Sequence, residues 1–192
     1  MNFESVNDYL DAFSKDTKIA ALPVKAAADF LELKPQTILQ KLKTGELTAI
    51  TIARENSKWR GVSIQSLLEI QKQYNKNKQT IFNTLKTCAR RKQSFITYSS
   101  LMQKIGLRSD KPQDRRMIGK MLGDISITTF EDNGFLLSAL VVKQRPGWEE
   151  NGLPSDAFFN LAEEIDKNYS IFEDDWAYLD EQLQKIKNHY TK

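Results

Sequence analysis

The chain has 192 residues, of which 40% are hydrophobic and 28% charged, and its formal net charge is +3. This length suits one domain of good size or two small ones, and the composition is typical of a globular protein without a membrane-spanning segment. The single Cys88 and the single His189 exclude an internal disulfide and a Cys/His zinc site, so we expect neither a metal nor another cofactor.

Charge is distributed unevenly along the chain. Residues 34–60 contain six Lys/Arg and two Asp/Glu, a net charge of +4. Residues 76–120 contain twelve and two, a net charge of +10, whereas residues 146–192 contain four and eleven, a net charge of −7. This separation predicts a region that faces a polyanion and an acidic region with a different role.

The N-terminal segment, residues 1–16, is acidic and lacks the basic and apolar regions of a signal peptide, so we expect a cytoplasmic protein. Apolar side chains recur there at helical spacing and predict a short amphipathic helix that packs on the first domain. These side chains are Phe3, Val6, Tyr9, Leu10 and Phe13.

Residues 22–47 have the pattern of two short helices joined by a tight turn. The predicted core face of the first helix consists of Ala26, Ala27, Phe30 and Leu31. Residues 32–34 form the turn, and Pro35 suits the first position of the second helix, where its missing N–H costs nothing. Ile38, Leu39 and Leu42 are then expected to face inward.

The polar side chains of the second helix are left for its outer face. Gln36, Thr37 and Gln40 could reach base edges, since a Gln amide matches adenine and a Thr methyl group meets the thymine methyl group. The lysines would contact phosphates, which adds affinity without sequence information. They are Lys34, Lys41 and Lys43.

A basic hairpin is predicted after the helix pair. Its strands are residues 48–53 and 59–62, joined by residues 54–58. Arg54, Lys58 and Arg60 suit an adjacent DNA backbone or a minor groove, where the negative potential attracts arginine. We expect Trp59 to pack under this wing and not to stack on bases.

Residues 22–70 resemble the helix-turn-helix of the excisionase and MerR-type family. Matching positions are Ala27, Ala28, Leu31, Thr37, Gly45 and Leu47. The resemblance implies a winged-helix fold with a recognition helix in the major groove of DNA. It covers about a quarter of the chain, and the long dimerisation helix and effector domain of complete MerR regulators have no counterpart.

The polar segment 74–78 predicts the boundary between a first domain, residues 1–74, and a second domain, residues 78–145. In the second domain we expect three helices: one containing Ile81 and Leu85, one capped by Thr97 or Ser99 that closes at Gly106, and one from about Pro112 to Gly123. The turn sequence 132–134 between apolar residues then predicts a two-stranded hairpin. This order predicts a second winged-helix-like module.

The second domain carries dense basic groups that are candidate DNA contacts. They are Arg90, Arg91, Lys111, Arg115, Arg116 and Lys120. Residues 95–142 resemble the winged helix of DNA alkyltransferase-like proteins, which implies a second DNA-binding fold. Alkyl transfer is not implied, because the reactive Pro-Cys-His-Arg element is absent and Cys88 precedes the similarity.

The region 146–192 begins with a turn-rich link and continues as acidic, amphipathic helix. Ser155 or Asp156 is placed to cap its first helix. Apolar side chains at helical spacing, from Phe158 to Ile165 and from Trp176 to Ile186, would pack on the same chain or form a homodimer with a second copy.

No pattern in the sequence predicts an enzyme. A metal-dependent nuclease needs converging carboxylates, yet position 141 is valine where a Glu-x-Lys pair would need its acid. The acidic residues after position 148 lack motif spacing, and no phosphate-binding glycine loop or nucleophile elbow occurs. We expect solvated acidic faces there.

The sequence therefore predicts a mainly α protein with small β wings, two winged-helix-like modules and a C-terminal helical region. The expected function is sequence-specific binding of double-stranded DNA, as a transcriptional regulator or an excisionase-like architectural factor of a mobile element or phage. The alternative is an adaptor that docks on DNA and uses its second domain and acidic tail to recruit or inhibit a protein partner.

Overall fold

A computed structural model of the chain describes residues 1–4, 6–54, 57–91, 95–143 and 152–191. The chain divides into two compact units, Met1–Asn75 and Lys76–Lys192. Both consist mainly of helices with short strands, which confirms the predicted fold class. The acidic C-terminal region belongs to the second unit.

The first unit combines three short helices, the start of a long fourth helix and a small sheet. Its elements in chain order are β1 (Asn2–Phe3), α1 (Val6–Lys15), a 3₁₀ helix (Thr17–Ile19), β2 (Ala21–Pro23), α2 (Val24–Leu31), α3 (Pro35–Thr44), β3 (Ala49–Arg54), β4 (Ser57–Ser63) and α4 (Ile64–Arg90). Phe3 lies in β1 and not in the predicted N-terminal helix, although its ring contacts Tyr9 on α1 at a centroid distance of 5.3 Å.

The sheet of the first unit has the strand order β1-β3-β4-β2. Strands β3 and β4 form the predicted antiparallel hairpin, and β2 adds to β4 in the antiparallel sense. Their register pairs Arg54 with Ser57, so the link between the strands is two residues and not the five predicted. Residues 55 and 56 of that link lie outside the described part of the chain.

The core of the first unit lies between α2, α3 and the hairpin. It contains Ala27, Ala28, Ile38, Leu42, Leu47, Val62 and Leu67. Two predicted core positions are wrong, because Phe30 is 45% exposed and Leu39 is 49% exposed. Small alanines on α2 form most of its buried face, so the larger Phe30 is not needed to fill it.

Helix α4 runs without interruption through the segment 74–78, where a polar break was predicted. It begins directly after Ser63, as expected, and its residues include neither Gly nor Pro. Lys and Gln are good helix formers and Asn costs only a fraction of a kcal/mol, about 0.7 relative to Ala, so a polar run alone does not end a helix. The division between the two units falls inside this helix.

The second unit is formed by the second half of α4 and the elements that follow it. These are β5 (Ile96–Thr97), α5 (Tyr98–Lys104), α6 (Pro112–Asn133), a 3₁₀ helix (Leu137–Leu140), β6 (Val141–Val142), α7 (Asp156–Ile165), a 3₁₀ helix (Tyr169–Ile171) and α8 (Asp175–Tyr190). Thr97 caps α5 by accepting a hydrogen bond from the backbone N–H of Ser100, as predicted.

The predicted hairpin around residues 132–134 is wrong, because α6 continues through residues 124–133. Its buried side chains follow helical spacing to the end: Ile118, Met121, Leu122, Ile125, Ser126 and Thr129. Gly134 ends the helix with a positive φ of 74°, the left-handed conformation common at helix C-termini. The second unit therefore has no antiparallel wing within residues 124–143, and that part of the second winged-helix prediction is wrong.

The apolar segment after Gly134 crosses the core of the second unit without belonging to a large sheet. Residues 135–142 are all buried, and in the described part of the chain β6 pairs with β5 alone, in parallel. Polar side chains accept hydrogen bonds from its backbone N–H groups: Gln182 from Leu136 at 2.9 Å, Thr129 from Leu137 at 3.1 Å and Ser126 from Ser138 at 3.3 Å. These bonds allow an irregular segment to be buried.

Helices α7 and α8 bury their apolar faces within the second unit, so the same chain covers the faces that could have formed a dimer. Buried residues include Phe158, Phe159, Ala162, Tyr178, Leu179 and Ile186. Trp176, expected on this face, is 54% exposed. Within the described residues, no helix is both long and apolar enough to cross a membrane.

Candidate nucleic-acid interface

Helix α3 presents a compact polar face opposite its buried side. Ile38 and Leu42, four residues apart, enter the core. Four exposed side chains share the other side of the helix: Gln36, Leu39, Gln40 and Lys43. The structure therefore places two of the three predicted base-reading residues, Gln36 and Gln40, on one exposed face, while Thr37 is half-buried at its edge.

The turn before α3 is a defined helix-ending motif. Glu32 adopts a left-handed conformation with φ 53°, and its N–H donates to the carbonyl of Asp29 at 3.2 Å. The N–H of Leu33 donates to the carbonyl of Ala28 at 2.9 Å, which completes a Schellman arrangement. Pro35 then begins α3 directly after Lys34. The first turn of α3 contains no acidic residue.

Lys41 is held by an ion pair on α3. Its Nζ lies 2.6 Å from Oε2 of Glu46, and the other carboxylate oxygen, Oε1, accepts a hydrogen bond from the Thr44 hydroxyl at 3.0 Å. The hydrogen bond from Lys41 keeps the pKa of Glu46 below its usual value of 4.5. Lys41 is half-buried, so of the three predicted phosphate-binding lysines only Lys34 and Lys43 are fully presented to solvent.

Side chains alternate between the two faces of strand β4, and the cations of this strand lie on its exposed face. Lys58 and Arg60 are exposed on one face of β4, and Trp59 between them is half-buried on the other face. An added Cβ at Gly61 would lie 2.2 Å from the Trp59 ring, so the ring covers this glycine. Trp59 therefore packs against the hairpin, as predicted. Arg54 is the last residue of β3.

Leu39 is the residue of this face that the sequence reasoning missed, because it was assigned to the core. Its spacing carries the signal: Leu39 follows Gln36 by three residues and precedes Lys43 by four, so these three side chains share one helix face. An exposed leucine among polar side chains suits contact with an apolar group of a ligand.

The candidate residues of the second unit lie on separate elements. Arg90 is the last residue of α4 and Arg91 follows it. Lys111 precedes α6, and three cations lie on α6: Arg115, Arg116 and Lys120. All six are exposed. These cations are therefore accessible to a ligand, but they do not lie together on one recognition helix and wing as predicted.

Two of the α6 cations have intramolecular partners. The guanidinium of Arg115 donates to the carbonyl of Ser109 at 2.7 Å, which secures the loop before α6. Lys120 lies 3.7 Å from Asp124, which is also 3.9 Å from Lys78. The two partly exposed ion pairs of Asp124 contribute little stability and would exchange readily with a phosphate.

Within the described residues, no group of three or more His, Cys, Asp or Glu side chains is placed to hold a metal ion.

Burial raises the pKa of the Cys88 thiol, and the nearby positive charges of Arg91 and Lys104 partly oppose this increase. The most perturbed groups are two tyrosines in the acidic region: burial and the nearby Asp175 raise the pKa of Tyr169 to about 12, and burial and the nearby Asp166 raise that of Tyr178.

Compared with models of protein families, with curated proteins and with solved structures, the chain matches none of them. The family that residues 22–70 resemble therefore stays a prediction.

Proposed function

We propose that the protein binds double-stranded DNA sequence-specifically through its first unit. Helix α3 enters the major groove, and the β3–β4 hairpin contacts the adjacent backbone or minor groove. The observation that carries the proposal is the exposed α3 face of Gln36, Leu39, Gln40 and Lys43, placed after a tight turn and before a basic hairpin.

The chemistry of this face supports base reading. A glutamine amide can donate to and accept from the adenine edge, and an apolar side chain can contact the thymine methyl group. Lys34, Lys43, Lys58 and Arg60 are exposed around this face and along the hairpin, where cations would neutralise phosphates. The biological role within this proposal is transcriptional regulation or excisionase-like DNA architecture in the cytoplasm.

In vitro selection from random duplexes tests the proposal. We expect the wild-type chain to enrich a defined site, with Gln36→Ala and Gln40→Ala relaxing its sequence and Lys43→Ala weakening all sequences alike. The matched control is Gln71→Ala, an amide substitution on α4. Equal binding of random and selected duplexes would refute sequence-specific recognition.

A second candidate function is an adaptor that docks on DNA and recruits or inhibits a protein. One observation favours it: Trp176 and Ile171 are 54% and 75% exposed in a strongly acidic segment. Exposed aromatic and aliphatic side chains beside carboxylates suit a basic protein surface. Under this function, Trp176→Ala would abolish partner binding and leave DNA affinity unchanged, as measured by titration of each ligand.

A further inference from the structure

A groove of about 720 Å³ lies in the second unit, between the second half of α4 and the segment that forms β5 and α5. Its lining includes two cations, Arg91 directly after α4 and Lys104 at the end of α5, and among the described residues that line it there is neither Asp nor Glu. Hydroxyl and amide side chains form much of the remaining lining, and the ring of Phe95 is half-buried beside them.

The two cations act on the same place in the groove. Arg91 and Lys104 line this groove together with Cys88, although one follows α4 and the other ends α5. Both charges also lower the pKa of the Cys88 thiol. Within the described residues, neither the Arg91 guanidinium nor the Lys104 ammonium forms an ion pair or a side-chain hydrogen bond. Two uncompensated positive charges therefore converge on a concave surface, where they favour an anion.

The lining has the groups that bind a phosphate group. An arginine fork binds two phosphate oxygens at once, and a lysine adds a mobile point charge. Asn83 can donate through its amide, while Thr87 directs its hydroxyl proton to the backbone carbonyl of Asn83 at 2.8 Å. The volume falls within the range of small-molecule sites, and the Phe95 ring offers a flat apolar surface.

We infer that this groove binds a phosphate-bearing ligand of about nucleotide size, with the phosphate between Arg91 and Lys104 and the base beside Phe95. The phosphate comes from a free nucleotide or from a nucleic-acid strand. The site goes beyond the recognition surface on α3, because it lies in the other unit and uses Lys104, which no base-reading argument requires.

Cys88 provides the test, because it lines the groove and is the chain's only cysteine. The rate of its alkylation by neutral iodoacetamide is measured by mass spectrometry with adenosine, AMP, ATP, inorganic phosphate or a single-stranded oligonucleotide present. We expect AMP or ATP to slow alkylation at least fivefold, phosphate to relieve this protection by competition, and adenosine to have no effect.

Variants assign the protection to the two cations. Arg91→Ala with Lys104→Ala should lose it, whereas Lys185→Ala with Lys187→Ala on α8 should keep it. Protection by the oligonucleotide but not by nucleotides assigns the phosphate to a nucleic-acid strand. The inference is overturned if no phosphate-bearing probe protects Cys88 at millimolar concentration, or if the groove variant is protected like the wild type.

The outcome is independent of recognition by α3. Gln36→Ala with Gln40→Ala should leave the protection of Cys88 unchanged while it relaxes duplex sequence preference. A groove that binds nucleotide in a chain without DNA specificity would refute only the proposed function, and the reverse result would refute only this site.

Discussion

Leu39 is an apolar residue on a polar helix face, and its role can be isolated by changing one methyl group of the DNA. Replacing thymine by uracil removes the 5-methyl group and leaves the hydrogen-bonding edges intact. If Leu39 contacts that group, the loss is about 0.8 kcal/mol, roughly a fourfold weaker complex. We expect wild-type protein to show this difference in Kd at contacted thymines.

Leu39→Ala should bind thymine and uracil sites equally. Leu68→Ala removes another exposed leucine, on α4, and serves as the control that retains the wild-type ratio. An undiminished thymine preference in Leu39→Ala would contradict the assignment of Leu39 to the base-reading face.

The ion pair between Lys41 and Glu46 competes with any phosphate that approaches Lys41. Because the pKa of Glu46 is lowered, the pair is formed at pH values above 4.5 and is lost as the pH falls through the lowered value. Its stabilising effect is small, since Glu46 is largely exposed.

Glu46→Gln should release Lys41 and tighten DNA binding by roughly two- to fivefold at neutral pH. The slope of log K against log salt concentration should steepen by about 0.9, as for one additional phosphate contact. Fluorescence anisotropy titrations at several salt concentrations measure both quantities. Glu181→Gln breaks a comparable pair with Lys185 on α8 and should change neither. Weaker binding by Glu46→Gln would show that the pair positions α3.

At the scale of elements, substitutions within residues 124–133 can test whether this stretch is a helix or a hairpin. Thr128 is exposed on α6, and its hydroxyl donates to the carbonyl of Asp124 at 2.9 Å. In a helix, Thr128→Ala should stabilise the protein by about 0.5 kcal/mol, and Thr128→Val should have almost no effect. In a strand, alanine would destabilise and valine would not. Urea denaturation of the two variants measures whether each substitution raises or lowers the free energy of unfolding.

The helix pair and the first hairpin were predictable because local signals agreed there. Pro35 and Gly45 mark both ends of α3, and the buried Ile38 and Leu42 fix its inner face. Leu39 was misassigned because three neighbouring apolar residues cannot all face inward on a helix whose buried stripe is narrow. Local patterns thus located the candidate site but not its complete face.

The long helices were less predictable because the deciding interactions are distant in sequence. β-branched residues from Ile125 to Thr129 and the turn sequence 132–134 favour a hairpin locally. Burial of Ile125 and Thr129 on one side of α6 prevails over that preference. Gln182, 46 residues away, accepts the Leu136 N–H that a second strand would have paired. The local sequence around Leu136 does not predict this long-range hydrogen bond.

At the scale of the whole molecule, the contrast between +10 in residues 76–120 and −7 in residues 146–192 occurs within one compact unit. If the basic part binds the same duplex as α3, Arg115→Glu with Arg116→Glu should lower the salt slope by about 0.9 for each lost contact. The expected protected footprint is correspondingly shorter, as measured by hydroxyl-radical cleavage.

Lys185→Glu with Lys187→Glu is the control for this charge reversal. Because Arg115 also bonds to the carbonyl of Ser109, circular dichroism must first show that the α6 variant retains its helix content. A wild-type footprint and salt slope in the α6 variant would favour the adaptor function, with the basic part of the second unit serving another ligand.

The ring of Trp59 over Gly61 makes the hairpin optically observable. The chain has three tryptophans, and Trp148 lies outside the described residues while Trp176 belongs to the acidic region. Replacing those two with phenylalanine leaves one indole, half-buried between Lys58 and Arg60. The emission of this indole depends on its exposure to water at strands β3 and β4. Stopped-flow fluorescence can therefore measure the rate at which the hairpin binds a duplex, without an attached dye.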